Sequence, residues 1–161
     1  MHRKFELSSL YDDLQRAGRS PQTVVLDLDL VSEPRAASSL DLDESAATLS
    51  VVRLRLVEGK PPALLRNWLP PSYSDITREA LEATGLYDVL RARCAKPVVA
   101  RQSIGARMPT AYERRHLNLR GGQPALAMTR VAFDADGNAV EFGDHCYRAE
   151  DYALDMVIDE R

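Results

Sequence analysis

The sequence predicts an α+β domain in which an antiparallel sheet carries flanking helices. Two pairs of segments, within residues 48–69 and 124–148, alternate apolar and polar residues and are each joined by turn-forming residues. This pattern is typical of β-hairpins. The helical segments are gathered in separate blocks and do not alternate with the strands one by one. Hairpin-linked strands with helices set apart favour an antiparallel sheet over a parallel, doubly wound one.

The first third of the chain predicts one helix and two strands. We expect a helix over residues 8–16, because two leucines there lie four residues apart. We expect a strand over residues 23–33, because aspartates alternate with leucines. A linking segment, residues 34–44, leads to a second strand at residues 48–59.

The remainder predicts further strands and helices, bounded by glycine, proline and aspartate. Gly85 separates two helical segments, and the Asp-Ala-Asp-Gly-Asn sequence at residues 134–138 is turn chemistry between two alternating runs. In chain order we expect strand 62–70, helices 72–83 and 86–93, strand 97–107, helix 110–117, and strands 124–134 and 139–148.

Length and composition predict one globular domain and exclude several classes of protein. The chain has 161 residues, of which 45% are hydrophobic and 28% charged, and its formal net charge is -3. A free-standing DNA-binding protein is disfavoured, because this charge supplies no general attraction to phosphate. No apolar run reaches the ~20 residues of a membrane span, and the first residues lack the apolar core of a signal peptide. We expect no membrane association.

The metal-binding and redox-active residue types are few and scattered. Three histidines lie far apart, and only two cysteines are present, Cys94 and Cys146. No metal-ligand spacing, phosphate loop or nucleophile motif occurs, so we expect no metal, no other cofactor and no enzymatic activity. We interpret the cysteines as reduced thiols of a cytoplasmic protein.

Two arginines on one strand form the first candidate binding feature. In the segment VVRLRLV, Arg53 and Arg55 point to one face of the strand, and the opposite face is lined by Val52, Leu54 and Leu56. Two guanidinium groups side by side can hold a carboxylate, phosphate or sulfate. The alternative is a solvated strand face, which the residues alone favour.

The last strand carries a second candidate. Glu141, Gly143, His145 and Tyr147 share one face, so a carboxylate, an imidazole and a phenol lie in one row. Such a row can bind hydroxyl groups. It is also typical of a water-exposed sheet face, and the pattern alone favours that alternative.

Residues 106–152, ARMPTAYERRHLNLRGGQPALAMTRVAFDADGNAVEFGDHCYRAEDY, carry a specific resemblance. A short helix is followed by leucine, a glycine turn, an apolar strand ending in arginine, a turn with Asp-x-Asp-Gly, and a Val-Glu strand. Upstream, RLRLVEGKPPALLRNWLP, TGLYDVLRARC and SSLYDDLQRAGRSPQTVVLD match in order and spacing. This combination resembles the UTRA effector-binding domain of HutC-type GntR transcriptional regulators.

The resemblance implies a chorismate-lyase-like (UTRA) fold, a homodimer and a ligand pocket. Occupancy of that pocket would modulate DNA binding by an N-terminal winged helix-turn-helix, so operator DNA would be contacted only through that further domain. We therefore expect residues 1–20 to be the linker remnant and first helix, and residues 21–161 to be the effector-binding domain. The chain begins where the linker would lie, so we expect a longer natural protein.

The resemblance also implies site residues. Members of the family that bind sugar phosphates use the two arginines of R-x-R, a glutamate on the next strand, the serine of an SLY motif, and a glutamate and tyrosine on the last strand. Arg53, Arg55, Glu141 and Tyr147 match four of these positions. Leu65 and Gly85 stand where the hairpin glutamate and the serine would be.

From these matches we expect a small anionic metabolite as effector. Arg53 and Arg55 would hold its anionic group, and Glu141 and Tyr147 its polar remainder, with His145 beside them. Since Leu65 and Gly85 remove two polar contacts, an apolar or planar body is favoured over an amino sugar. The alternatives are a chorismate-lyase-like enzyme of the same fold and a dimerisation module with an inactive pocket.

Overall fold

A six-stranded antiparallel sheet forms the centre of the molecule. The structure is a computed structural model, and it describes residues 17–153. The predicted helix over residues 8–16 therefore lies outside the described residues. The strands are β1 (Pro21–Ser32), β2 (Ala47–Val57), β3 (Lys60–Leu69), β4 (Val99–Arg107), β5 (Ala125–Phe133) and β6 (Ala139–Arg148). Their order in the sheet is β1-β2-β3-β6-β5-β4, which confirms the predicted α+β class.

Both predicted hairpins are present, and their turns use the expected residues. Between β2 and β3, Glu58 and Gly59 both have positive φ angles, of 53° and 75°, and this is the conformation that two-residue hairpin turns favour. Between β5 and β6, the side chain of Asp134 accepts hydrogen bonds from the backbone N–H groups of Asp136 and Asn138. Gly137 supplies the positive φ that this turn needs.

The pairing of β3 with β6 joins the two hairpins into one sheet. Asn67 lies opposite Gly143, and Trp68 lies opposite Phe142. The Trp68 and Phe142 rings stack with their centroids 5.3 Å apart, which stabilises this junction on one face of the sheet. The two hairpins are thus held together at the middle of the sheet.

In the part of the chain that the structure describes, four short α-helices cover the two faces of the sheet. They are α1 (Pro34–Ser39), α2 (Arg78–Ala83), α3 (Leu86–Ala92) and α4 (Ala111–Leu117). Leu81 and Leu90, from α2 and α3, pack against Val51 and Leu69 in one buried cluster. On the opposite face, Leu117 of α4 packs in a second cluster with residues of β2, β3 and β6. Side chains alternate between the two faces along each strand, but in the central strands β2, β3 and β6 both faces are largely buried.

Two predicted elements differ from the structure. Residues 34–44 were expected to be a link, but Pro34–Ser39 form α1, since Ala36 and Ala37 are fully buried against the sheet. The helix expected over residues 72–83 begins only at Arg78, because Thr77 is its N-cap and accepts a hydrogen bond from the backbone N–H of Ala80. Short buried helices lack the periodicity that sequence analysis requires.

The start of α4 is held by a buried acidic side chain. Thr110 and Glu113 form a reciprocal capping box. Arg107, at the end of β4, donates two hydrogen bonds of 2.7 Å to the Glu113 carboxylate. Burial opposes ionisation of Glu113, but the hydrogen bonds from Arg107 and Thr110 outweigh it and lower its pKa to about 2.

We predict that Glu113→Gln lowers the free energy of unfolding by about 1–3 kcal/mol at pH 7. Because the pKa of Glu113 is lower in the folded chain than its ordinary 4.5, this contribution is complete above pH 4.5 and is lost as the pH falls towards 2. Denaturant titrations of variant and parent should therefore converge between pH 5 and pH 2. The exposed Glu44→Gln is the control, with a change below about 0.5 kcal/mol. A constant difference at all pH values would contradict this assignment.

Candidate functional site

A cavity lies over the middle of the sheet, on the face that α2 and α3 cover. It is bounded by β2, β3, β5 and β6, and by the first turn of α3. The lining residues are Arg53, Arg55, Leu65, Asn67, Leu86, Tyr87, Met128, Arg130, Glu141, His145 and Tyr147. Six of the seven residues predicted from sequence thus line one cavity. The seventh, Gly85, is the N-cap of α3 and precedes the lining residues Leu86 and Tyr87.

The two arginines of β2 are buried and do not form a solvated strand face. Arg53 is 4% exposed and Arg55 is 1% exposed. Arg53 Nη2 donates to Asn67 Oδ1 at 2.7 Å, and Arg55 Nη1 donates to the hydroxyl of Thr23. The exposed-face interpretation that the pattern alone favoured is therefore wrong. An alternation of residue types reports which side chains share a face, and it does not report what covers that face.

Arg53 has an uncommon environment for a cation. Its Nε atom is buried without a hydrogen-bond partner, and within residues 17–153 no carboxylate forms an ion pair with it. Burial lowers the pKa of Arg53 to about 10, although the charge of Glu141 opposes the shift. The guanidinium remains charged at neutral pH, with unused capacity to donate hydrogen bonds into the cavity.

Asn67 connects the cation to the acid of the site. Its Oδ1 accepts from Arg53, while its Nδ2 donates to Glu141 Oε1 at 2.5 Å and lies 3.2 Å from His145 Nε2. The amide thus turns its acceptor to the cation and its donors to the carboxylate and imidazole. Asn67 was not predicted, yet it is a polar residue on the otherwise apolar inner face of β3, and this pattern could have indicated it.

Glu141 is a buried carboxylate held by neutral donors. Besides the contact with Asn67, its Oε2 accepts from the hydroxyl of Tyr87 at 3.2 Å. Burial raises the pKa of Glu141, while the positive charge of Arg130 opposes the shift. Arg130 Nη1 in turn donates to the Tyr87 hydroxyl at 3.1 Å. Two guanidinium groups are therefore linked to Glu141 through one neutral side chain each: Arg53 through Asn67, and Arg130 through Tyr87.

His145 is neutral in this site. Since the Asn67 amide nitrogen is a donor, His145 Nε2 is the acceptor, and Nδ1 carries the hydrogen that points to the Tyr147 hydroxyl 3.2 Å away. Burial, and next the charges of Arg130, Arg53 and Arg55, hold the pKa of His145 well below its ordinary value. The imidazole therefore supplies one donor and one acceptor, and no charge.

Gly143 allows Glu141 and His145 to turn inward over the strand. A Cβ atom at this position would lie 2.7 Å from Glu141 Oε1 and 2.9 Å from His145 Nε2. Both distances are shorter than real Cβ contacts, so any side chain would displace the two polar groups. The glycine thus leaves room for the ends of these two side chains, and its φ is not in the positive range.

Leu65 gives part of the cavity an apolar wall. It lies opposite Arg53 on one side and His145 on the other, and it packs in a buried cluster with Ala63, Met128 and Tyr147. A carboxylate at this position would stand beside the guanidinium of Arg53. With leucine there, that wall offers only hydrocarbon.

The cysteines and histidines do not form a further site in the described part of the chain. Cys94 is exposed and follows α3, whereas Cys146 is buried on β6. Within residues 17–153, no three His, Cys, Asp or Glu side chains are grouped so that they could hold a metal ion. Over the same residues, no helix is long and apolar enough to cross a bilayer.

Comparison with known families and curated proteins agrees with the resemblance seen in the sequence. The family model described as the UTRA domain matches residues 16–153. The HTH-type transcriptional repressor NagR of Bacillus subtilis (strain 168) is 23% identical over 155 residues, which cover 95% of this chain and 64% of that protein. The HTH-type transcriptional regulator GgaR of Escherichia coli (strain K12) is 26% identical over 133 residues, covering 80% and 52%. The chain thus spans about half to two thirds of the length of these curated relatives.

Solved structures show the same fold. A candidate transcriptional regulator from Streptomyces coelicolor is 43% identical, with a TM-score of 0.78, over 84% of this chain and 91% of that chain. The effector domain of PhnF from Mycobacterium smegmatis has a TM-score of 0.87 at 20% identity, over 99% and 100% of the two chains. The second likeness is evidence for the fold alone.

We predict that Gly143→Ala destabilises the folded chain by about 1–3 kcal/mol, because the new methyl group separates Glu141 and His145 from Asn67. Chemical denaturation measures this change. Gly105→Ala is the matched control, since a Cβ there meets no atom within 4 Å, and it should change stability by less than about 0.5 kcal/mol. Equal stability of the two variants would show that the inward geometry is not required.

Proposed function

The chain belongs to the UTRA domain family, and from this membership we propose that it is the ligand-sensing and dimerisation domain of a bacterial GntR/HutC-type transcriptional regulator. It binds a small anionic metabolite, forms a homodimer and acts in the cytoplasm. Operator DNA is bound by a winged helix-turn-helix that precedes this sequence in the whole protein. The curated relatives support this, since both are described as HTH-type regulators and extend well beyond the matched region.

We also propose a division of the chain into two parts. We assign residues 1–20 to the linker and first helix that lead from the DNA-binding domain, and residues 21–161 to the effector-binding domain. The UTRA match begins at residue 16, close to this boundary, which supports the division.

The environment of Arg53 carries the proposal of a ligand site. A buried cation is costly unless it is paired, and a purely structural core gains more from apolar side chains of similar volume. Arg53 is buried, it donates to the neutral amide of Asn67, and its Nε has no hydrogen-bond partner. An anion in the cavity would supply the missing acceptor through charge-assisted hydrogen bonds, which are about twice as strong as neutral ones.

The other lining residues suggest what the rest of the effector is like. We assign the anionic group to Arg53 and Arg55, and the polar remainder to Glu141, Tyr147 and His145. Leu65 offers hydrocarbon where a sugar-binding relative would offer a carboxylate. A carboxylate or phosphate with an apolar or planar body fits this combination better than an amino-sugar phosphate.

A sensor is favoured over an enzyme. The curated relatives are regulators, and the carboxylate and imidazole of the cavity are bonded to neighbouring side chains. Both ring nitrogens of His145 are engaged by Asn67 and Tyr147, so neither is free to take a proton from a bound molecule. We therefore propose binding without chemical conversion.

We predict that Arg53→Ala and Arg55→Ala each weaken effector binding about ten- to a hundredfold, or 1.5–3 kcal/mol, because each removes a charged hydrogen-bond donor. The ligand is the effector found in a thermal-shift screen of anionic metabolites, and calorimetry gives its affinity. Arg120→Ala, at an exposed loop position, is the control and should bind like the parent. If both pocket variants also bind within twofold of the parent, the arginines are not the effector site.

We predict that phenyl phosphate binds about threefold or more tightly than glucose 6-phosphate, because the two share an anionic group and only the former buries an apolar body against Leu65. Inorganic phosphate gives the contribution of the anion alone. In Leu65→Gln the preference should shrink or reverse. Tighter binding of the sugar phosphate by the parent would exclude an apolar-bodied effector.

A further inference from the structure

The two edge strands of the sheet differ in whether their outer backbone groups are bonded to other parts of the chain. At the β1 edge, the side chains of α2 bond to the strand backbone: Glu82 accepts from the N–H of Val25, and Arg78 donates to its C=O. A register irregularity between Val25 and Asp27 further interrupts this edge. Side-chain caps and bulges of this kind prevent an edge strand from pairing with another chain.

Within residues 17–153, the β4 edge has no such protection. Its nine residues, Val99–Arg107, pair in unbroken register with β5 on one side. Among the described residues, no side chain or backbone group bonds to the other side. A regular, uncovered edge of this length presents a row of backbone donors and acceptors ready to pair with another strand.

Exposed apolar side chains mark the two ends of the same strand. The described part of the chain has five large hydrophobic residues that are exposed, and three of them flank or begin β4. Val98 and Val99, at its start, are 49% and 56% exposed, and Met108, just past its end, is 53% exposed. Apolar exposure concentrated along an open edge is typical of a protein interface.

We propose that β4 pairs antiparallel with β4 of a second copy across a two-fold axis at Ser103, forming one continuous twelve-stranded sheet. This inference rests on the proposed homodimer and specifies which surface forms it. A two-fold interface brings the same strand of both copies together in opposite directions. Ser103 is the midpoint of Val99–Arg107, so this register pairs all nine residues.

The residues that meet in this register are complementary. Val98 of one copy lies opposite Met108 of the other, so the exposed apolar side chains cover one another at both ends. Arg101 lies opposite Gly105, and Arg107 lies opposite Val99, so no like charges face each other. A register centred on Ile104 would instead place Arg101 opposite Arg107, which is unfavourable.

The same strand reaches the ligand cavity. Gln102 of β4 accepts a hydrogen bond from Arg130 Nε at 2.8 Å, and Arg130 lines the cavity and bonds to Tyr87. In the proposed register Gln102 lies opposite Ile104 of the partner. The interface strand is therefore one hydrogen bond away from the cavity, a direct route by which occupancy alters the angle between the two copies.

Site-directed crosslinking tests the axis. In a Cys94→Ser background, Ser103→Cys places two thiols side by side at the axis, and a short bismaleimide should convert most of the protein to a covalent dimer. Ser32→Cys, an exposed serine on the opposite edge strand, is the matched control and should remain uncrosslinked. A dimer by light scattering in which Ser103→Cys fails to crosslink would overturn the proposal while leaving the homodimer intact.

A charge exchange tests the register. Val98→Asp and Met108→Lys should each weaken dimerisation at least tenfold, because each buries a charge against an apolar side chain. The double variant should recover most of the loss, since the two new charges face each other across the axis. Single variants that dimerise like the parent would overturn the proposal. A parent that stays monomeric by light scattering at high micromolar concentration would exclude the dimer, whereas failure of sensing appears separately as absence of effector binding.

Discussion

The cavity depends on the hydrogen bond between the buried guanidinium of Arg53 and the side-chain oxygen of Asn67. A cation in the middle of a sheet would normally be neutralised by direct contact with a carboxylate. Here the neutral amide lies between the cation and Glu141, and it satisfies one donor of the former and one acceptor of the latter. Because the carboxylate of Glu141 does not bond directly to Arg53, the guanidinium keeps donors directed at the cavity.

This arrangement costs stability, and the surrounding apolar layers offset the cost. On the cavity face, α2 and α3 pack their leucines against Val51 and Leu69. On the other face, Leu117 of α4 and Leu64 of β3 close a second core beneath the same strands. The polar network thus lies between two apolar clusters, which exclude water and strengthen its hydrogen bonds. A binding site built on paired strands is also held more rigidly than one on loops.

The β3–β6 junction determines both the fold and the site. One of its faces carries the stacked rings of Trp68 and Phe142, and the other carries Asn67 beside Glu141 and His145. A one-residue slip between these strands would exchange the two faces. The ring stack therefore stabilises the register that brings the amide of Asn67 to the carboxylate of Glu141. Apolar packing on one face of the sheet thus positions the polar groups on the other face.

The sequence by itself determined the strands, their two hairpins and the face that each polar residue shares. Alternation within one segment placed Arg53 with Arg55, and Glu141 with His145 and Tyr147, because side chains in a strand repeat every two residues. The family resemblance and this alternation together named seven site residues, and six of them line the cavity. Local pattern does not report burial, however, and it favoured solvated faces where the structure buries these side chains around a cavity.

Only the tertiary structure decided which strands are neighbours and what covers them. Asn67 and Glu141 are 74 residues apart, and no local signal specifies that β3 pairs with β6. Arg130 and Tyr87 join the site from a further strand and a helix, so each looked like an ordinary surface or core residue in its own segment. Long-range pairing brings these groups together because it buries both faces of the central strands at once, and that requirement involves the whole chain.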